Sequence, residues 1–230
     1  MTIEFIEVKE IFEEYKQVTA NAQEMAIFTR DIDLQKSAMF ELEAFGKKAQ
    51  GVKNLNKNRF SEFELNLILF LIITAEAVGS EILMIVSLKE NLMEQAWAAL
   101  VQAQTKISIS AANHPINKED FVPYIDRLEA YERLLFPKMM FASVGGIIKQ
   151  TKCSICGNSY EDCDHMKGKM YGGELCVREI HEMQLEEVSL VENPANKMCR
   201  TITATFNGKT VDPLTLKEIA LPDTNTINDA

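Results

Sequence analysis

The chain has 230 residues, 47% of them hydrophobic and 25% charged, a balance that excludes disorder as the default and leaves room for one large or two small packed domains. Its formal charge of -10 has the wrong sign for a phosphate-backbone binder, so nucleic acid is not an expected partner. The five cysteines are an odd number, and the opening MTIEFIEVKEIFEEY is acidic and amphipathic, unlike a basic-then-apolar leader; both predict a cytoplasmic, reducing setting rather than a disulfide framework.

In chain order, Ile3, Ile6, Ile11, Tyr15, Val18, Ala22 and Met25 recur at steps of three to five, which predicts an amphipathic helix up to Phe28. Leu34, Ala38, Leu42 and Phe45 predict a second, from about Asp33 to Ala49. GVKNLNKN then reads as a linker. Lys47, Lys48, Lys53, Lys57 and Arg59 occur there with no acid between them, as a solvated connection or a small anion-contact patch. Ser61 precedes Glu64 by three, a capping-box pattern that starts a third helix.

That third helix, 61 to 88, is apolar on nearly all sides. Its longest uncharged run, LNLILFLIITA, has 11 residues, well short of the about 20 that cross a bilayer, so a buried bundle helix is expected and no membrane. Glu76 and Glu81 are about 140° apart around it, too far for one metal-bridging face; pairing or an edge position is expected. Leu92, Ala96, Ala99, Leu100 and Ala103 predict a helix over 91–110 with Trp97 as a packing residue. His114 before Pro115 marks a connection. Ile125, Leu128, Tyr131 and Leu135 predict a further helix from Pro123, and Pro137 is the expected domain boundary.

MMFASVGGII, 139 to 148, reads as extended, with Gly145 and Gly146 at a bend, and leads into CSICGNSYEDCDH. Cys153 and Cys156 form a C-x-x-C pair whose tight turn aims two sulfurs at one ion, with Gly157 supplying the positive φ of such a knuckle. Cys163 and His165, two apart on an extended segment, face the same way and complete a four-donor set. Three thiolates and an imidazole close a tetrahedron around zinc, so the predicted site is structural. Cys176 is the rival fourth ligand, but ten residues and a turn at Gly172 and Gly173 separate it from His165; it is expected to be a buried thiol, with Cys199 a further free one. Lys167 and Lys169 are expected to offset the charge of the thiolates.

Beyond the cluster, a short helix is predicted from Cys176 to Glu187, then a strand VSLV, a turn ENPAN and a strand RTITATF. Asn207-Gly208 is a hairpin turn with Lys209 to Val211 returning, and Asp212-Pro213 starts a last short helix to about Ala220. Enzyme motifs fail at definite residues: Leu185 stands where H-E-x-x-H needs its second histidine, and Thr203 stands where a phosphate loop needs its first glycine. Cys176 with His165 or His181 as base lacks an orienting third group.

CSICGNSYEDCDHMKGKMYGGELC followed by EEVSLVENPANKMCR resembles a zinc-bearing module of uncharacterised microbial proteins, over about 139–205. EEVSLVENPAN is also similar to a strand-and-turn segment late in tailed-phage prohead proteases, although no catalytic serine and histidine of that family map onto this chain. The resemblances imply a microbial, intracellular or virion-related context. The expected architecture is α+β, mainly α: a helical domain over 1–136, a zinc-stabilised α+β module over 137–221 and a tail over 222–230. The expected function is non-catalytic, a binding or assembly protein with a protein partner or a second copy held through the helical domain. The alternative is a metal- or cysteine-dependent hydrolase in phage assembly or host defence.

Overall fold

A computed structural model describes residues 3–115 and 118–219; the expected tail over 222–230 and the end of the last predicted helix lie outside them. The architecture is α+β and mainly α, with five α-helices among the described residues followed by small antiparallel sheets. The helices are α1 Ile6–Phe28, α2 Ile32–Leu55, α3 Glu62–Lys89, α4 Met93–Ala112 and α5 Val122–Leu135. The capping box forms at Ser61: its side chain accepts from Glu64 N while Glu64 reaches back to Ser61 N at 3.2 Å. Glu64 is buried and also accepts the backbone N–H groups of Glu4 and Phe5, so one carboxylate starts α3 and fixes the approach to α1.

Helix α3 is the centre of the core, with Ile68, Leu71, Ala77, Ile82 and Met84 fully covered by α1, α2 and α4. It is long and apolar enough to cross a membrane, yet 67% of that stretch is buried inside the protein. Its two acids have separate partners. Glu76 is half-exposed and sits 3.2 Å from Lys106; Glu81 is fully buried, with Oε2 2.9 Å from Arg127 on α5. A buried carboxylate needs such a cation to offset the cost of its desolvation.

Four predicted elements differ in the structure, one being the strand RTITATF, which forms only over Ala204–Phe206. GVKNLNKN is not a linker: α2 continues through it to Leu55, because Lys53 is pulled into a buried site where its Nζ donates to Gly173 O at 2.6 Å. Tertiary contact outweighs the low helix propensity of Gly51. The bases there are paired, Lys47 with Glu43, Lys48 with Glu14, Lys57 with Glu174 and Arg59 with Glu7, so they do not form an open anion patch. The helix predicted over Cys176–Glu187 is instead strand from Arg178 onward, continuous with the expected strand VSLV in one long element, Arg178–Val191. The last short helix is a turn: Asp212 caps Leu214 N at 2.8 Å, but Leu216 takes a positive φ of 57° and the chain bridges back from Glu218 to Val211.

The strands are β1 Phe141–Cys153, β2 Met170–Tyr171, β3 Glu174–Leu175, β4 Arg178–Val191, β5 Ala204–Phe206 and β6 Lys209–Val211. β1 and β4 form a long two-stranded antiparallel ribbon, and the chain between them, including β2 and β3, is its tip. The β5–β6 hairpin turns on Asn207 and Gly208, both at positive φ, as such a pair allows. The ribbon meets the helices at its ends. At its base Phe141 stacks on Trp97 at 6.1 Å, Phe136 closes the edge at 5.3 Å, and Trp97 Nε1 donates to Lys197 O at 3.1 Å.

Candidate metal centre

Cys153 ends β1, and the chain reverses directly after it. Gly157 N donates to Cys153 O at 2.8 Å and Cys153 N donates to Asn158 O at 2.9 Å, a knuckle that needs the positive φ of 73° at Gly157; a side chain there would strain it. Ser154 ties the turn to the returning chain, with its N donating to Val177 O and its Oγ accepting Val177 N at 2.8 Å. A 3-10 turn over Tyr160–Asp162 then delivers Cys163 in an extended conformation, and His165 follows on the same side.

The donor atoms of Cys153, Cys156, Cys163 and His165 all lie within 4.8 Å of one another, which makes a possible metal site. His165 packs edge-on to Tyr171 at 4.6 Å, and its Nδ1 is buried with no hydrogen-bond partner in the protein. A buried ring nitrogen left unpaired is costly, and an ion would satisfy it. Burial opposes the Cys153 thiolate, but the backbone N–H groups of Cys156 and Ile155, with the thiols of Cys163 and Cys156, outweigh it and bring the pKa down to about 6. The chain thus stabilises an anionic sulfur before any metal contributes.

Glu161 anchors the knuckle from outside. It accepts Thr151 Oγ1 at 2.7 Å, Ser159 Oγ at 3.0 Å and Arg178 at 2.6 Å, and these donors, Thr151 first, lower its pKa to about 2. Thr151 and Arg178 belong to β1 and β4, so this carboxylate clamps both strands to the loop beneath the cluster.

Two sequence expectations need correction. Lys169 does not face the thiolates; its Nζ caps Ala112 O of α4 at 2.5 Å. Cys176 is buried as expected, but it is no bystander at a distance: its Sγ is 3.8 Å from Cys153 Sγ, and burial with the neighbouring Cys153 pushes its pKa to about 11. The ten intervening residues that seemed to separate it from His165 fold back on themselves through the β2–β3 hairpin, whose turn is Gly172-Gly173. The glycine pair was the signal that pointed to Cys176. Cys199 is exposed and lies at the ribbon base, where its O accepts Ala142 N at 2.7 Å. His181 is out on β4, 3.4 Å from Glu179, while His114 packs between Phe70 and Phe121.

The same hairpin docks the tip on the bundle. Asn66 of α3 donates to Met170 O at 3.0 Å and accepts Gly173 N at 2.7 Å, and Asn113 holds Gly168 O and Met170 N. A Cβ at Gly173 would stand 3.1 Å from both Leu65 and Lys53, so the close approach requires glycine. Met170 enters the core itself. Comparison with family models, curated proteins and solved structures finds no match to this chain.

Proposed function

We propose that this chain is a non-catalytic, zinc-stabilised binding or assembly protein of microbial or phage-related origin, acting in the cytoplasm. The observation that carries the reading is the position of the four donors: they sit where both ribbon strands, the tip hairpin and, through it, the bundle converge. An ion held there ties non-local segments together, which is what a structural site does in a region with little apolar core. Zinc fits the donor set, three soft thiolates and one imidazole, better than a hard cation that prefers oxygen. Partner binding, or pairing with a second copy, through the helical domain is the role this leaves to the chain.

The competing reading, a metal- or cysteine-dependent hydrolase in phage assembly or host defence, draws on the exposure of Cys156, which lets solvent approach the cluster. Cobalt substitution separates the two. The expected spectrum is that of a four-coordinate ion with three thiolates, unchanged by added cyanide or azide. A spectrum that shifts with the added anion reveals an exchangeable position and overturns the structural reading in favour of the hydrolase.

A further inference from the structure

Strand β4 holds a pattern that neither the metal nor the bundle explains. Ile180, Met183, Leu185, Val188 and Leu190 follow one another at steps of three, two, three and two. A regular strand needs steps of two to keep residues on one face. In the ribbon, Thr151 pairs with Ile180, Ile148 with Met183, Gly146 with Leu185, Val144 with Val188 and Ala142 with Leu190. The register leaves His181 and Glu186 of β4 without a partner, and Lys149 of β1 likewise. Each step of three therefore spans a bulge, and each bulge restores the phase. The result is one unbroken apolar face, while the opposite face carries Ser143 with Ser189, Gly145 with Glu187 and Ile147 with Gln184.

Below Thr151, which is buried and bonded to Glu161 at the tip, this face has no cover among the described residues. Leu190, Val144, Val188, Leu185, Ile180, Ile148 and Met183 are between 37% and 65% exposed. At the base it is the opposite face, with Phe141 and Val191 in register, that turns to Trp97. These side chains present about 600 Å2 of apolar surface, at the upper end of what a monomer leaves uncovered and close to the about 800 Å2 that each partner buries in a standard interface.

We infer that this apolar face is a homodimer interface, in which two copies of the ribbon pack face to face around a two-fold axis parallel to the strands. The inference rests on the assembly reading above and moves its contact from the helices to the ribbon. Its paired residues from Ala142–Leu190 to Ile148–Met183 carry no charge, so two copies of a chain with net charge -10 meet there without like charges opposed. A two-fold axis along the strands sets β1 of one copy over β4 of the other, about 10 Å away as in stacked sheets. The lysines of β1 are already matched within one copy, Lys149 3.4 Å from Glu182 and Lys152 in register with Glu179, so neither has to find a new partner when two apolar faces meet. Residues 220–230, ALPDTNTINDA, are too polar to be the cover.

Sedimentation equilibrium of the metal-loaded full chain tests this. The expected result is a dimer at tens of micromolar whose dissociation constant rises roughly hundredfold or more in Val188→Glu and in Val144→Glu, because each places two carboxylates in the buried face. Gln184→Lys, on the opposite face, is expected to remain dimeric. Metal stoichiometry and the far-ultraviolet spectrum confirm that each variant is folded, and the two glutamate variants, on different strands, stand independently. A monomeric parent chain, including one that binds lipid vesicles instead, overturns the inference, and so does a dimer that survives both glutamate variants. An exchangeable metal site would sink the structural-zinc reading and leave the dimer standing, so the two failures are distinguishable.

Discussion

The helical bundle and the ribbon are built on opposite principles. In the bundle each helix carries its own instructions: Ser61 and Glu64 start α3 within four residues, and Leu71, Val78 and Ile82 of that helix, all buried, lie near one line along it. In the ribbon no short stretch is self-sufficient. Its strands are 13 and 14 residues long, its middle is exposed on both faces, and its ends are fixed by residues far away in sequence, Trp97 at the base and Asn66 and Asn113 at the tip. The bundle is held by buried apolar area, whereas the ribbon is held by a few anchors at its two ends, one of them the tip with its Cys/His cluster. Loss of one anchor should therefore disturb the two regions unequally.

The largest expected effect is that of metal removal. With chelator, hydrogen exchange is expected to lose protection mainly across 139–212 while α3 keeps its slow amides, because the short strands cannot stand without the staple. Loss of protection in α3 to the same extent would show a single cooperative unit and erase the distinction. The fourth donor belongs to the same experiment: with Cys153, Cys156 and Cys163 in common, His165→Ala is expected to lower zinc affinity and Cys176→Ser to keep one zinc per chain. Charge-transfer intensity of four thiolates in the cobalt form, lowered by Cys176→Ser and untouched by His165→Ala, would reverse the assignment.

Next in size is Trp97→Ala, at the seam between the two regions. Trp97 is almost fully buried against Phe136 and Phe141, and such truncations cost about 3–5 kcal/mol. Denaturant unfolding followed by circular dichroism measures the loss. The metal is expected to stay at its original stoichiometry, since the tip has its own hydrogen bonds to Asn66 and Asn113. Zinc loss in this variant would mean that base and tip act as one.

The legibility of the sequence divides along the same line. The capping box at Ser61, the Asn207-Gly208 turn and the apolar character of α3 are local signals, and the structure has them. The four donors are close in sequence and come together in space. The part of β4 up to Glu187 reads as helix in the sequence, although VSLV reads as the strand it is, because the bulges at His181 and Glu186 stretch two of its steps from two to three, and mixed steps of two and three imitate a helical stripe. The end of α2 was missed because what holds it, Gly173 O on Lys53, lies 120 residues away. Cys176 was misplaced because separation was judged along the chain, although Gly172-Gly173 already marked the turn that brings it back. What stayed hidden was a pairing between distant residues, except at the turn over Asp212–Glu218, where the bridge to Val211 is local.

The smallest expected effect is at Glu64, and its sign follows from what surrounds the carboxylate. Burial alone would raise its pKa, but Ser61 Oγ and the backbone N–H groups of Glu4, Phe5 and Ser61 all donate to it and lower the pKa below the usual 4.5. A carboxylate with a depressed pKa in the folded state contributes stability that is fully present above the unfolded value and is lost as pH falls through the folded one. Glu64→Gln keeps a side-chain acceptor but removes the charge, so it should destabilise the protein at neutral pH by about 1 kcal/mol, the scale of a lost cap. The gap between the two proteins should narrow once the pH drops below about 4.5, the ordinary value for glutamate. Thermal melts of α-helical ellipticity measure that gap at each pH, and the metal content at neutral pH should not differ between the two proteins. A gap that stays constant down to the lowest pH at which both fold would mean that the packing of the side chain, not its charge, starts α3.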